Sequence, residues 1–260
     1  LRKSRQNFCS VTPDGNGSSS YFKSFDRISL GDDAKTDFEA SLYRKVEPHP
    51  FAPEKDMDYR CREILDIQVN GLMTRLRHIC CQSAVIGISG GLDSTLALLV
   101  CAKAVDMLKR PRTDVVAVTM PCFGTTKRTR SNAEILCNEL GVTFREVNIS
   151  NSVLQHFEDI GHDKNDHSVT FENSQARERT QILMDVANKE GGMVIGTGDL
   201  SEMALGWCTY NGDHMSNYGV NASIPKTLVR SVVKWVMDNK LSGPNEDPTF
   251  SSDNALLKAT

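Results

Sequence analysis

A doubly wound parallel α/β sheet is the fold class this sequence predicts, and three observations point to it. Short apolar segments recur at 84–88, 114–120 and 193–196, and 142–149 alternates like a further strand. Segments with helical apolar spacing separate them, at 95–105, from about 131 to 140, and at 175–189. The first strand also runs straight into a glycine-rich turn at 89–94 that opens a helix. Strands joined by single helices form βαβ units, whose right-handed crossovers leave a parallel sheet covered on both faces. Ligands of such sheets sit beyond the carboxyl ends of the strands.

Residues 1–56 differ in character from the rest, being Ser/Gly/Asp-rich at 12–20 and proline-bearing at Pro48, Pro50 and Pro53, and they read as linker. Ile64, Leu65, Ile67, Val69, Leu72, Leu76 and Ile79 then give an amphipathic helix over 59–81. The run 95–105 (TLALLVCAKAV) is apolar nearly all round, so it predicts a helix buried on every side. The helix at 131–140 stops at Gly141, and the mostly helical region closed by 175–189 stops at Gly191 and Gly192. A further amphipathic helix spans 227–239.

At 260 residues the chain can build one sizeable core with appendages. A net charge of −3 and an isoelectric point near 6.1 argue against nucleic-acid binding by a broad basic face, leaving small-molecule chemistry as the better fit. The basic run Lys127, Arg128, Arg130 reads equally as solvated surface or as a loop covering phosphates. Eight cysteines lack any C-x-x-C spacing, and several sit in apolar runs, so they read as reduced core thiols. No apolar run approaches a membrane span and no leader opens the sequence, so a soluble cytoplasmic protein is expected.

The turn Ser89-Gly-Gly-Leu-Asp-Ser94 carries the chemistry. Gly90 and Gly91 let backbone approach an anion without a Cβ in the way, while the new helix aims unpaired N–H groups at it. Ser89 and Ser94 add hydroxyls, and Asp93 can hold the Mg²⁺ that accompanies a pyrophosphate. Neither G-x-x-x-x-G-K-[S/T] nor G-x-G-x-x-G occurs, which excludes the lysine-bearing phosphate loop and the dinucleotide fingerprint. The remaining string, S-G-G-x-D-S, resembles the pyrophosphate loop of ATP pyrophosphatases, which cleave ATP between its α and β phosphates.

Two further segments fall at strand ends. After the fourth strand comes GTGDLSE (196–202), where Thr197 can reach phosphate or ribose and Glu202 can share a cation with Asp93. Taken alone, Asp199 and Ser201 are more simply helix caps, with Glu202 a first-turn acid favoured by the dipole. In ENSQARER (172–179), Asn173 shares a helix face with Arg177, and Gln175 with Arg179. Arg177 is either a bidentate anion clamp or one rung of an ordinary surface ladder. Trp207, ahead of a polar loop, is either a stacking plate or a core residue.

SGGLDS, ENSQARER, GTGDLSE followed by LGW, and IPKTL (224–228) occur in an order and spacing similar to the synthetase domain of glutamine-dependent NAD⁺ synthetase, over roughly residues 57–240. That resemblance implies a Rossmann-like sheet of the ATP pyrophosphatase (adenine nucleotide alpha hydrolase-like) type. It implies a ligase that adenylates the nicotinate carboxylate of deamido-NAD⁺, releases pyrophosphate, and displaces AMP with ammonia. By position, Gly87, Ile88, Ser89, Gly90, Gly91, Leu92, Asp93, Ser94 and Thr197 would hold ATP, and Asp93 and Glu202 the Mg²⁺. Asn173, Arg177, Glu202 and Trp207 would bind deamido-NAD⁺, Lys226 would contact phosphates, and Asp213 would stand near incoming ammonia. The short ammonia-only members carry lysine and aspartate where this chain has Tyr210 and Asn217, so those two contacts do not transfer.

The resemblance further implies that residues 1–56 are linker and the last part of a glutaminase (nitrilase-like) domain, that 57–260 is a C-terminally truncated synthetase domain, and that the molecule is a homodimer with no nucleic-acid or membrane partner. Two rivals stay in view: another ATP pyrophosphatase, such as a GMP synthetase or a tRNA-thiolating enzyme, and a nucleotide-binding module without turnover. Thiolation would want redox-active cysteine pairs and a basic face, and retention of Asp93 and Glu202 argues for catalysis.

Overall fold

The computed structural model describes Phe51 and residues 56–123 and 127–239, with side chains for all of these except 127–131. The expected linker and glutaminase remnant thus lie almost wholly outside the described residues. In chain order the elements are α1 (Met57–His78), β1 (Ser83–Gly87), α2 (Leu92–Met107), β2 (Val115–Thr119), α3 (Lys127–Leu140), β3 (Thr143–Glu146) and α4 (Ser150–Ile160). They continue with α5 (Val169–Lys189), β4 (Gly192–Gly196), α6 (Leu200–Leu205), β5 (Tyr218–Gly219) and α7 (Lys226–Asn239). Among the described residues no helix is long and apolar enough to cross a membrane.

All four strand pairings are parallel, in the order β3-β2-β1-β4-β5. The chain winds outward from β1 through β2 to β3, then returns to the other side of β1 for β4 and β5. That reversal makes the β1/β4 boundary the switch point of the sheet, where a crevice opens beyond the strand ends.

Side chains alternate between the sheet's two faces, and each face has its own core. Ala84, Ile86, Val115, Ala117, Met193 and Ile195 join one cluster with α1, α2 and α7. Val85, Val116, Val118 and Val194 join the other, with Phe157 of α4 and Phe171 of α5. Because both faces are covered, β1, β2 and β4 read as continuous apolar runs, whereas the edge strand β3 is only partly buried and alternates. The prediction for α2 holds except at Lys103, whose side chain stays 19% exposed: Leu96 to Ala102 are all at most 1% exposed.

The differences from expectation have local causes. The third strand stops at Glu146 instead of reaching 149, although Val147 and Ile149 still donate to the Thr119 and Pro121 carbonyls. Pro121 has no N–H to return, so the ladder ends there. Helix α5 starts at Val169, six residues before the predicted 175. Val169, Thr170 and Phe171 are poor helix formers, but burial of Phe171 against Phe157, ring centroids 5.6 Å apart, overrides propensity. Helix α3 begins at Lys127, so the basic run predicted as a loop forms a first helical turn.

Strand β4 lies so close to β1 that a Cβ on Gly192 would stand 2.7 Å from the Ser83 carbonyl oxygen and would also overlap the Ser83 hydroxyl. Gly192→Ala should therefore cost about 1–3 kcal/mol, the range of core overpacking. Urea unfolding, with Gly219→Ala as the reference because an added Cβ there meets only an ordinary 3.5 Å contact with Ala222, measures it; equal losses at both positions would contradict the close approach.

Candidate active site

Three segments converge at the switch point. The first is the turn after β1. Gly90 takes φ +81°, a conformation that favours glycine, and lets the chain reverse into α2. The helix opens at Leu92 with Gly91 at its N-cap and no side-chain cap, so its first amides face the crevice. The turn is drawn together by its serines: Gly91 N–H donates to Ser89 Oγ (3.2 Å), and Ser94 Oγ donates to the Gly91 carbonyl (3.0 Å). Asp93 and Ser94 lie in the first helical turn rather than in the loop, which fixes their direction.

The second segment leaves β4 through Thr197 and Gly198 into α6. Asp199, fully buried, caps that helix: its Oδ1 accepts from the Glu202 amide (2.9 Å), and Glu202 Oε2 accepts from the Asp199 amide (3.2 Å). This reciprocal capping box satisfies two backbone donors and sets both carboxylates on one side of the turn. Gly206 then closes α6 in the left-handed conformation (φ +67°), and Trp207 emerges 78% exposed, which rules out its reading as core.

The third segment is the start of α7. Lys226 sends its ammonium back into the crevice, with Nζ 2.5 Å from Asp93 Oδ2, 3.2 Å from Asp199 Oδ2 and 3.6 Å from Glu202 Oε1. Burial pushes the Lys226 amine down, but its hydrogen bonds to Asp93 and Asp199 outweigh that and raise it above the ordinary lysine value. Burial likewise pushes the Asp199 carboxyl up, and the Glu202 amide and the Lys226 ammonium reverse the sign and hold it low. Both groups are charged near neutrality.

Asp93, Asp199 and Glu202 each present an oxygen, all within 4.8 Å of one another. Against these three carboxylates stands, among the described side chains, one ammonium, and Asp93 Oδ1 is buried without a hydrogen-bond partner. Hard oxygen donors with a deficit of positive charge suit Mg²⁺, which binds through a few carboxylates and completes its shell with phosphate oxygens and water. The donor set therefore fits the ion the resemblance implies.

Beside the cluster lies a cavity of about 520 Å³, within the usual range for small-molecule sites. Among its walls are Gly87, Ile88, Ser89, Asp93, Ser94, Thr197, Glu202, Trp207 and Asp213, so most residues picked out in the sequence meet in one place. Gly90, Gly91 and Leu92 form the turn without lining the cavity, and Lys226 meets it only through the carboxylates. Asn173 and Arg177 do share a helix face, and that face holds the wall in place. Thr209 Oγ1 donates to Asn173 Oδ1 (2.9 Å), and Arg177 Nε donates to the Tyr210 carbonyl (3.2 Å). Asp213 Oδ1 accepts from the Thr209 amide (2.6 Å), closing the same loop from within. Asn217 is used differently again: its Oδ1 accepts from the Val194 amide (2.7 Å), extending the sheet edge past β5.

Sequence reasoning left Asp199 out of the acidic cluster, although the D-x-x-E spacing of a capping box was a visible signal that it shares a side with Glu202. Arg179 and Thr180 of α5 and His214 also line the cavity without having been singled out for it, and only the tertiary fold reveals them.

The family model described as NAD synthase matches residues 64–240. A glutamine-dependent NAD(+) synthetase of Mycobacterium leprae is 49% identical over 203 residues, covering 75% of this chain and 30% of that protein. An NH(3)-dependent NAD(+) synthetase of Methanococcus aeolicus is 30% identical over 178 residues, covering 68% of each. Among solved structures, the glutamine-dependent NAD+ synthetase of Acinetobacter baumannii, in complex with adenosine diphosphate, superposes with a TM-score of 0.65 at 27% identity, covering 77% of this chain and 36% of that one. The chain thus spans under a third of the M. leprae protein, and its sheet has the ATP pyrophosphatase form of these neighbours. Matched in family model, in sequence over most of its length and in fold, the chain belongs to the NAD synthase family.

Proposed function

We propose that residues 57–260 form the synthetase domain of a carbon–nitrogen ligase, which uses ATP to convert deamido-NAD⁺ to NAD⁺ with release of pyrophosphate and AMP. Ammonia is the immediate nitrogen donor, supplied from glutamine by a glutaminase domain, and the enzyme works as a cytoplasmic homodimer. The observation that carries the reading is the meeting of Asp93, Asp199 and Glu202 around Lys226 Nζ, beside the SGGLDS turn and a cavity of about 520 Å³.

The first half-reaction forms a bond between a nicotinate carboxylate oxygen and the α-phosphorus, and breaks the bond from that phosphorus to the bridging oxygen. The electron pair leaves on pyrophosphate. Mg²⁺, held by Asp93, Asp199 and Glu202, supplies Lewis-acid neutralisation of that charge when bound. The chain's own part is to bind and orient. Uncapped amides at the start of α2 receive phosphate oxygens, Thr197 adds a hydroxyl, and Lys226, kept protonated by its carboxylates, adds positive charge. Trp207 covers the pyridine ring, and Asn173 and Arg177 fix the loop against which the substrate rests.

In the second half-reaction the ammonia lone pair attacks the acyl carbon, and AMP departs with the electrons of the carbon–oxygen bond. Asp213 has one oxygen engaged by Thr209, which leaves Oδ2 to take a proton from the incoming nitrogen. No side-chain nucleophile is needed.

Asp93→Asn and Glu202→Gln should each slow pyrophosphate release about 10²-fold or more at saturating Mg²⁺, the loss typical of removing one electrostatic contact to a leaving group. Glutamine also serves at the third position of a capping box, so Glu202→Gln keeps α6 capped and its effect reports on charge. Near-normal release by either folded variant would remove that residue from the metal site.

Trp207→Ala should raise KM for deamido-NAD⁺ about 2- to 10-fold, the equivalent of one aromatic stacking contact, and leave kcat near wild type. Since this side chain is 78% exposed, its loss should leave the melting temperature unchanged. A melting temperature that falls together with activity would return Trp207 to a packing role.

Whatever NAD⁺ the 260-residue chain forms should come from ammonium chloride and none of it from glutamine. Burial pushes the Cys61, Cys81, Cys101 and Cys137 thiols up, Cys137 to about 12, and a thiol protonated at neutral pH is a poor nucleophile. Nor does the sequence carry the cysteine, acid and lysine set of such a glutaminase. NAD⁺ formation with each donor at alkaline pH tests it, and glutamine-supported turnover by the purified chain overturns it.

A further inference from the structure

Asn221 lies in none of the motifs that point to the reaction, yet it is 0% exposed and its side chain makes three hydrogen bonds. Its Nδ2 donates to the Asp93 carbonyl (2.9 Å) and to the Thr197 carbonyl (3.1 Å). Its Oδ1 accepts from Gln68 Nε2 (3.0 Å), and the same Gln68 amide donates to the Val220 carbonyl (2.9 Å). The amide has a single workable orientation, because the two carbonyls need a donor and the Gln68 amide needs an acceptor.

The two carbonyls belong to different arms of the site. Asp93 comes from the first turn of α2, and Thr197 opens the segment that carries Asp199 and Glu202. Their carboxylates repel, and no backbone hydrogen bond is recorded between Asp93 and Thr197 to set the spacing. One buried amide group spans both. Gln68, itself 6% exposed on α1, prevents that amide from turning.

We infer that Asn221 is the positioning residue that fixes the separation of Asp93 from Asp199 and Glu202, with Gln68 as its anchor, so that the strength of divalent-cation binding depends on a side chain that touches no cation. The inference rests on the proposed metal-dependent reaction. It also explains a sequence otherwise without a role, since an asparagine five residues before Lys226 sits where β5 turns back toward both arms.

The test measures Mn²⁺ binding to the 260-residue chain by electron paramagnetic resonance, with the uncleavable α,β-methylene analogue of ATP present, beside the Mg²⁺ dependence of pyrophosphate release with ATP. Asn221→Leu keeps the side-chain size and removes all three hydrogen bonds. Its Mn²⁺ dissociation constant should rise about 10- to 100-fold, as for other residues that orient metal ligands, and half-maximal pyrophosphate release should need correspondingly more Mg²⁺. Gln68→Met, which leaves both arms intact and frees only the anchor, should give a smaller rise in the same direction and serves if Asn221→Leu does not fold. A purely structural Asn221 would lower the melting temperature and leave the Mn²⁺ constant of the folded protein unchanged, and that result overturns the inference. A wild-type chain that binds no Mn²⁺ and releases no pyrophosphate overturns the reaction together with it, whereas wild-type binding with unaltered variants overturns the positioning role alone.

Discussion

Like charges held close together are the constraint on which the rest of this structure depends. Three carboxylate oxygens lie within 4.8 Å of one another, at separations where unit charges repel by about 3.5 kcal/mol or more in an effective dielectric of 20. The chain answers with one ammonium at the centre, a capping box that ties two of the acids to backbone, and a buried amide that ties the third arm to them. Each answer comes from a different part of the sequence, so the cluster forms only when the fold is complete. That repulsion is what a divalent cation bound as proposed would relieve.

The sheet topology makes the meeting possible. Reversal of winding at β1/β4 brings the exits of two strands side by side with no crossover blocking the space above them. With β1 and β4 paired in register from Ser83/Gly192 to Ile86/Ile195, the first turn of α2 and the segment leading into α6 come within reach of one asparagine. The same arrangement places Lys226, the first residue of α7, where a side chain of ordinary length reaches all three acids.

Much of this could be read from the sequence, and the limits of that reading have physical causes. Strands β1, β2 and β4 and the buried helix α2 showed themselves because a sheet covered on both faces demands uninterrupted apolar runs, and the edge strand β3 showed itself through alternation. Strand β5 did not, since two residues, Tyr218 and Gly219, carry no periodicity. The start of α5 was hidden because packing of Phe171 decides it, and packing is absent from propensity. Asp93, Glu202 and Lys226 stood out through motif context, whereas Asp199 was assigned a cap alone. Asn221 and Gln68 gave no signal, because their function consists of hydrogen bonds across 153 residues of sequence.

Asp199 shows why a simple structural reading and a chemical one need not compete. Its Oδ1 belongs to the backbone of α6 and its Oδ2 to the Lys226 ammonium. Glu202 divides in the same way, Oε2 to the Asp199 amide and Oε1 toward Lys226. A carboxylate whose second oxygen is held by main chain has lost most of its rotational freedom before any ligand arrives, so the first oxygen is already aimed and little ordering entropy remains to be lost on binding. A six-residue helix is too short to be stable on its own, and the cap that defines it is also what presents the ligands. Helix and site are therefore specified by the same two side chains, and a change to either acid acts on both at once.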